Sequence, residues 1–286
     1  MNSVTSKLII QGCFSMTFNK RLLSASPVSV HLLCFCIAGL LFAVDKPEKT
    51  DDPNFVPGEE VRIDANNKYI GGDHFLVYVP ADYTDEQDWP VIFVYHGMNA
   101  QPTTWPFRQI TGGKGFIVIG MGYVQSGEGE ISEGQYINYI KRERRSVLEV
   151  KRYVSERLRI DEKRLFVTGY SRGGWHTSAM LESSAKAWAG AVIFAAGRSQ
   201  NASLITTDAG RKALRGKPIY IGVGEKDVNL ASAKRAVSYY EKVGAKVTFE
   251  EYKGAGHGFD PTKSEILYNW LVTNSSVEDA QSGKTD

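Results

Sequence analysis

One stretch of this 286-residue chain decides its fold: Phe166-Val167-Thr168-Gly169-Tyr170-Ser171-Arg172-Gly173-Gly174. It places a Gly-x-Ser-x-Gly pattern directly after a short apolar run and directly before a segment that can be helical. This context is typical of a sharp strand-to-helix turn that lifts a serine hydroxyl above a sheet. Side chains at Gly169 or Gly173 would collide with the neighbouring strand and helix. The pattern therefore predicts Ser171 as a nucleophile.

Strand-like and helix-like segments alternate on both sides of this turn. The predicted strands are Phe75–Val79, Val91–Tyr95, Phe116–Ile119, Leu165–Thr168, Ala191–Phe194, Ile219–Val223 and Val247–Tyr252. The predicted helices are Ser146–Leu158, Trp175–Ser183, Ala231–Val243 and Lys263–Val272. Several of the strands are continuous apolar runs, as expected for strands buried on both faces of a mainly parallel sheet. The alternation predicts a doubly wound α/β domain with helices on both faces.

A serine hydroxyl is a poor nucleophile at neutral pH and needs a base within hydrogen-bond reach. His257 is the predicted base, because the glycine-rich run Gly254–Phe259 after the last predicted strand leaves its imidazole free to reach inward. The alternative is a turn in which His257 is merely exposed. The other histidines of this region are predicted to be structural: His74, His96 and His176.

The third member of such a site orients the imidazole and stabilises it once it is protonated. Asp227 is the predicted acid, since it follows the strand Ile219–Val223 at the end where loop residues gather around a site. Glu225 is the alternative acid. Asp260 is instead predicted to cap the helix that begins after Pro261.

Acyl transfer also needs N–H donors for the negative charge that develops on the carbonyl oxygen. The backbone N–H of Arg172, the residue after Ser171, is one predicted donor. The other is expected from the loop His96-Gly97-Met98-Asn99, where Gly97 lets the backbone turn tightly. We predict the Met98 N–H as this second donor of the oxyanion hole.

Aromatic side chains near these motifs are the predicted substrate contacts. Trp105 lies a few residues past the oxyanion loop. The segment Gly120–Ser146 follows the third predicted strand and has no clear period, and a segment at this position can overhang a site. Its candidates are Tyr123, Tyr136 and Tyr139. Core packing is the alternative for each of these residues.

Composition narrows the range of partners. Residues 1–44 hold three of the 34 basic residues and none of the 32 acidic ones, so the rest of the chain is close to neutral. A near-neutral body gives no reason to expect nucleic acid or an acidic membrane as partner. No His, Asp or Glu cluster has metal-ligand spacing and no cofactor fingerprint is present, so we expect neither a metal nor a cofactor. The sequence leaves the oligomeric state open.

The first 44 residues have the order of a secretory signal peptide: Lys20-Arg21, an uncharged stretch with an apolar core, and the small Ala43 near a possible cut. The alternative is an uncleaved N-terminal anchor, because the run approaches the roughly 20 residues that a membrane helix needs. Met16 is an alternative start. Beyond the leader we predict a flexible spacer at 45–60, a catalytic domain at 61–273 and a disordered tail at 274–286. An exported enzyme, periplasmic or extracellular, is expected.

Four motifs together carry a resemblance to a known superfamily. They are Tyr95-His96-Gly97, Gly169-Tyr170-Ser171-Arg172-Gly173, Gly224 to Asp227, and Gly256-His257-Gly258. In this order they resemble the α/β-hydrolase superfamily, in which the serine comes first, then the acid, then the histidine. The chain is most similar to secreted esterases of the polyhydroxybutyrate-depolymerase, feruloyl-esterase and dienelactone-hydrolase-like group, with prolyl-oligopeptidase-type catalytic domains as neighbours.

One departure from that group concerns the residue after the serine. Secreted depolymerases and feruloyl esterases commonly carry disulfides and an alanine there, whereas this chain has Arg172 and no cysteine after Cys36. The departure argues against a polymer or cell-wall substrate. For Arg172 itself, a surface ion pair is favoured over contact with an anionic substrate group.

The resemblance implies a serine hydrolase of small or oligomeric carboxylic esters, with an α/β-hydrolase fold, an open site and a minimal lid. Ser171, His257 and Asp227 would form its triad. A serine peptidase of prolyl-oligopeptidase-like type is one alternative, although such domains usually come with an additional gating domain. A non-catalytic binding protein is the other, although inactive relatives typically lose a member of the triad.

Overall fold

In the computed structural model, residues 53–124 and 132–276 are described. Their strands are β1 Glu60–Asp64, β2 His74–Tyr78, β3 Trp89–Tyr95, β4 Ile117–Met121, β5 Ile160–Tyr170, β6 Gly190–Phe194, β7 Pro218–Gly224 and β8 Lys246–Tyr252. Their helices are α1 Phe107–Ile110, α2 Glu133–Ser155, α3 Arg172–Ser183, α4 Asp208–Ala213, α5 Leu230–Lys242 and α6 Ser264–Ser275. Short 3₁₀ turns cover Ala185–Ala187, Ala202–Leu204 and Pro261–Lys263.

The described strands form one eight-stranded sheet in the order β1-β2-β4-β3-β5-β6-β7-β8. Strand β2 is antiparallel to both β1 and β4, whereas all other neighbours are parallel. The chain passes from β3 to β4 on one side and then crosses to β5 on the other. In open α/β sheets a ligand binds beyond the carboxyl ends of the strands where the direction of winding reverses. The loop after β3 and the turn after β5 meet at this place.

The central strands are apolar because helices cover both faces of the sheet. Every residue of β3, β4 and β6 is buried. On one face the sheet packs against α2, α3 and α5, through residues such as Val150, Met180 and Ala236. On the other face it packs against α1 and α6, through Phe107 and Leu267. This confirms the predicted doubly wound arrangement.

Two elements differ from the sequence predictions. Strand β1 was not predicted, and it begins at Glu60, inside the predicted spacer 45–60. Its Val61 and Ile63 alternate with charged residues at the edge of the sheet, so it has no continuous apolar run. Helix α2 begins at Glu133, well before the predicted start at Ser146. A capping box between Ser132 and Gln135 fixes this start.

The predicted overhanging segment Gly120–Ser146 is therefore largely strand end and helix in its described part. Residues 125–131, the predicted leader 1–44 and most of the predicted tail lie outside the described residues. None of the described helices is both long and apolar enough to cross a membrane.

The backbones of α3 and the sheet approach each other closely at Gly173. A Cβ atom on this residue would lie 2.0 Å from the Tyr95 carbonyl oxygen at the end of β3. Gly173 and Tyr95 both belong to rigid elements, so neither backbone can move away without a cost in free energy. Glycine is therefore the residue that lets the first turn of α3 lie against the loop after β3.

We expect Gly173→Ala to lower the free energy of unfolding by about 3 kcal/mol, because the added methyl must push the helix off the sheet. Gly134→Ala is the matched control, since a Cβ on this exposed residue of α2 meets nothing within 4 Å. It should leave stability unchanged or raise it by about 0.5 kcal/mol. Urea unfolding of both variants measures the difference, and equal midpoints would contradict the packing argument.

Candidate active site

Ser171 occupies the turn between β5 and α3 in a backbone conformation that is rare outside glycine. Its φ is 54° and its ψ is −115°. Such a conformation costs of order 1–3 kcal/mol and persists only where the surroundings impose it. Here the Ser171 N–H donates to the Phe194 carbonyl at 2.9 Å, and its own carbonyl accepts from the Trp175 N–H at 3.1 Å. Strand β6 and helix α3 therefore hold the turn from both sides.

The residues around Ser171 pack too closely for side chains. A Cβ on Gly169 would lie 2.3 Å from the Gly173 carbonyl oxygen, as the sequence pattern predicted. The β5–α3 turn therefore leaves no space for a side chain at Gly169, and Ser171 lies at the tip of this turn.

His257 and Asp227 reach Ser171 from two other loops. The Ser171 hydroxyl lies 2.9 Å from His257 Nε2, and His257 Nδ1 lies 2.9 Å from Asp227 Oδ2. The Asp227 side chain is fully buried, and its other oxygen accepts from the Asn229 N–H at 2.8 Å. The His257 side chain is 39% exposed. The structure therefore brings together all three residues singled out by sequence, in an arrangement that can carry a proton from the hydroxyl to the imidazole.

Glu225, the alternative acid, serves the same loop differently. Its Oε2 accepts from the Gly254 N–H at 2.8 Å, and this hydrogen bond lowers the pKa of the exposed Glu225 carboxyl. Close packing adds to this tie, since a Cβ on Gly224 would lie 2.0 Å from the Gly256 carbonyl oxygen. Glu225 thus holds the loop that carries His257 rather than the imidazole itself.

Asp260 caps the next turn, as predicted. Its carboxylate accepts from the Thr262 N–H at 3.0 Å at the start of the 3₁₀ turn that leads into α6.

The loop after β3 is fixed by two buried polar side chains. His96 Nδ1 donates to the Gly97 carbonyl at 2.7 Å, and burial lowers the pKa of His96, which favours the neutral ring. The Tyr123 hydroxyl donates to the His96 carbonyl at 2.6 Å. A Cβ on Gly97 would lie 3.2 Å from the ring of Tyr170, so this loop runs directly beside the residue that precedes Ser171. The Met98 side chain is exposed.

A model of the dienelactone hydrolase family matches residues 135–282, slightly more than half of the chain. The chain belongs to this family. The matched segment contains Ser171, Asp227 and His257. Family membership identifies the protein as a hydrolase of the carboxylesterase type.

Solved structures with the same fold include three enzymes of low sequence identity. The fluorophosphonate-binding serine hydrolase F of Staphylococcus aureus is 16% identical, with a TM-score of 0.58 over 77% of this chain and 99% of that one. A ferulic acid esterase of Anaeromyces mucronatus is 15% identical, with a TM-score of 0.58 over 80% and 94%. An S-formylglutathione hydrolase of Agrobacterium tumefaciens is 16% identical, with a TM-score of 0.58 over 79% and 98%.

At such identities these likenesses show the fold, and they confirm the predicted α/β-hydrolase architecture. No curated protein matches the chain in sequence.

Of the predicted substrate contacts in this hydrolase, only Trp105 faces the surface beside Ser171. Its side chain is 44% exposed, and its ring lies 6.2 Å from that of Tyr170. The Tyr170 ring in turn lies 5.2 Å from the His257 imidazole, and its hydroxyl donates to the His257 carbonyl at 3.3 Å. Tyr170 was not singled out by sequence, although its place directly before the serine was the available signal.

The predictions for Tyr123 and Tyr136 are corrected by their burial. Each hydroxyl is engaged inside the protein, Tyr123 with His96 and Tyr136 with the Ser199 hydroxyl at 2.8 Å. Tyr139 packs in the same buried region as Tyr136. Tyr123 and Tyr136 therefore pack in the interior, which is the alternative that the sequence analysis left open.

Arg172, the residue after the serine, contacts one of these buried tyrosines. It is half-buried, and its guanidinium carbon lies 4.5 Å from the centre of the Tyr123 ring. The side chain therefore folds back over the residue that supports the His96 loop.

Glu143 and His176 form a buried polar pair, and no sequence pattern predicted this pairing. Glu143 Oε1 accepts from the Val124 N–H at 2.7 Å, while Oε2 lies 3.7 Å from His176 Nε2. Among the described residues, neither Glu143 Oε2 nor His176 Nε2 has a hydrogen-bond partner. Burial raises the pKa of Glu143 to about 8 and lowers the pKa of His176 to about 3. Both side chains are therefore neutral at pH 7.

His176 was predicted to be structural, and its ring packs edge-on against Tyr95 at 4.4 Å. His74 opens β2, and its Nδ1 lies 2.6 Å from Asp73. Within the described part of the chain, no group of three metal-ligating side chains could hold an ion.

The pKa of Glu143 predicts how stability changes with pH. Between its ordinary pKa and about 8 the folded protein keeps a proton that the unfolded chain releases, so stability falls as pH rises through this range. Glu143→Gln keeps the shape and the acceptor for Val124 but does not titrate. We expect the variant to match the wild type near pH 5 and to become more stable than it toward pH 8, by on the order of 1 kcal/mol or more.

Melting temperatures of Glu143→Gln and the wild type across this pH range measure the difference in stability. Exposed Glu86→Gln is the control for losing one surface carboxylate. A difference in melting temperature between Glu143→Gln and the wild type that does not change with pH would contradict the neutral state of the buried carboxyl.

Proposed function

We propose that the protein cleaves carboxylic esters through an acyl-enzyme formed on Ser171. The observation that carries this proposal is the continuous hydrogen-bonded chain from the Ser171 hydroxyl through His257 to the buried Asp227. The Ser171 oxygen attacks the acyl carbon while His257 Nε2 takes its proton. Asp227 holds the Nδ1–H and stabilises the imidazolium that forms. His257 then gives the proton to the leaving alcohol, and water repeats the sequence to release the acid.

The oxyanion formed in each step is assigned to the backbone N–H groups of Arg172 and Met98. The Arg172 N–H is at the first position of α3, where helical N–H groups have no partner within the helix and the helix dipole favours negative charge. The Met98 N–H belongs to the loop that Tyr123 and His96 fix beside Tyr170. Two rigid supports thus hold the two donors, which is what stabilisation of a transient charge requires.

An ester is the favoured substrate because the catalytic imidazole is open to solvent and an aromatic row lies beside it. His257 is partly exposed, and Trp105 and Tyr170 extend from it along the surface. Such a site takes a small or oligomeric ester and offers the aromatic rings to one of its apolar groups. The names of the three neighbours, two hydrolases and one esterase, are consistent with this choice.

The two alternatives receive less support. A peptidase of prolyl-oligopeptidase-like type is less favoured, because family membership points to a hydrolase of the carboxylesterase type. A binding protein would not need a serine, a histidine and a buried acid in one hydrogen-bonded chain.

We expect hydrolysis of p-nitrophenyl esters, acetyl to long-chain, by residues 45–286. Ser171→Ala should lower kcat by about 10⁴-fold to 10⁶-fold, and Asp227→Asn by about 10⁴-fold, since the imidazole loses its orientation. Glu225→Gln is the matched control: another carboxylate of the same loop, expected to change kcat by no more than about tenfold. Folded protein without activity on any ester would redirect the proposal to peptides or to binding.

We also propose that residues 1–44 direct export, ahead of a spacer that ends before β1, a catalytic domain that extends from β1 to the end of α6, and a C-terminal tail. The proposal rests on the basic start and apolar core of the leader.

N-terminal sequencing of protein collected outside the cytoplasm tests the leader. The expected first residue lies close after Ala43. Membrane-bound protein that still begins at Met1 or Met16 would instead establish an uncleaved anchor.

A further inference from the structure

A second cavity opens at the carboxyl edge of the sheet, on the β6–β7 side of Ser171. Its volume is about 290 Å³. It lies between α3, the loop after β6 and α5, and the side chains used below are Trp175, Arg198, Ser232, Arg235 and Tyr239. None of them belongs to the hydrogen-bonded chain of Ser171, His257 and Asp227.

Arg198 is held in place by its partners. Its Nε and Nη2 each donate to one oxygen of Glu182 at 2.8 Å, and its guanidinium carbon lies 3.8 Å from the centre of the Tyr239 ring. The Glu182 side chain is fully buried, whereas that of Arg198 is 21% exposed. Nη1 makes no hydrogen bond to any described residue, so its N–H groups remain available at the cavity wall. A guanidinium fixed in this way can bind a carboxylate with little loss of side-chain freedom.

The charge of the cavity comes from Arg235. The charge of Arg198 is matched by Glu182, but Arg235 donates only to the Ser232 hydroxyl, at 2.7 Å. No carboxylate of the described residues lies within 4.0 Å of Arg235. The cavity therefore combines one unmatched positive charge with one preorganised pair of donors, which is the chemistry that recognises an anion.

The remaining walls are aromatic. Trp175 and Tyr239 line the cavity beside the two arginines. A volume of about 290 Å³ is at the small end for ligand sites, so a single ring with a short substituent is the size that fits. We propose that this cavity binds a small aromatic carboxylate, with the carboxylate between Arg198 and Arg235 and the ring against Trp175.

The backbone N–H of Trp175 donates to the Ser171 carbonyl, so the wall of the cavity is joined directly to the turn that carries Ser171. The ligand nevertheless touches neither Ser171 nor His257, and the site does not depend on the proposed ester hydrolysis.

Calorimetric titration of the full chain with benzoate tests the proposal, with benzyl alcohol as the uncharged ligand of similar shape. Arg235→Gln should weaken benzoate binding about tenfold or more, because one charge-assisted contact is lost. Arg215→Gln is the matched control: another exposed arginine, which precedes β7 at the opposite edge of the sheet. It should leave the Kd unchanged, and benzyl alcohol should bind weakly to every variant.

Arg198→Lys provides a second test that spares the buried Glu182, since lysine retains the positive charge but lacks the Nη1 donors. It too should weaken benzoate binding. Ser171→Ala and His257→Ala should bind benzoate like the wild type, which separates this site from the reaction centre. Equal affinities of Arg235→Gln and Arg215→Gln, absence of saturable binding, or loss of binding in His257→Ala would each overturn the proposal.

Discussion

The backbone contact between the first turn of α3 and the end of β3 is the constraint on which the site depends. Gly173 permits it, because any side chain there would strike the Tyr95 carbonyl. The contact places the N-terminus of α3 beside the loop after β3. It also leaves Ser171 with a left-handed φ, held by the Phe194 carbonyl of β6. One close approach thus fixes the nucleophile turn and brings the first turn of α3, which begins at Arg172, against the loop that begins at His96.

A second set of contacts joins the loops after β6 and β7. The buried Asp227 accepts from the Asn229 N–H, and the Asn229 side chain donates to the Ala195 carbonyl at 2.9 Å. Ala195 has a φ of 48°, another left-handed residue that the surroundings must hold. Its own N–H donates to the Gly222 carbonyl. The same cross-linked loops therefore orient the acid toward His257 on one side and carry Arg198 toward the second cavity on the other.

The parts of this fold that sequence predicted well are those with a local signal. Buried parallel strands are continuous apolar runs, and the Ser171 turn is marked by glycines that its geometry requires. The first half of helix α2 had no apolar period, because it contains the charge run Lys141–Arg145, within which Glu143 is buried. Tyr123 and Tyr136 were predicted at the substrate for a related reason. In a sequence, an aromatic residue near a site looks the same whether its side chain faces solvent or the core. Here hydrogen bonds to His96 and Ser199, which are distant in sequence, hold the two tyrosine side chains in the core.

The two buried glutamates show how partner number sets the role of an acidic side chain. Glu182 receives two N–H bonds from Arg198 and hydroxyl bonds from Thr206 at 2.6 Å and Tyr240 at 3.0 Å. Donors on both oxygens offset the loss of water, so this carboxylate can hold an arginine in place. Glu143 receives one N–H bond and faces a neutral histidine, so burial dominates and its pKa rises to about 8. One glutamate therefore organises a charged surface, whereas the other fills the space beneath the His96 loop as a neutral group.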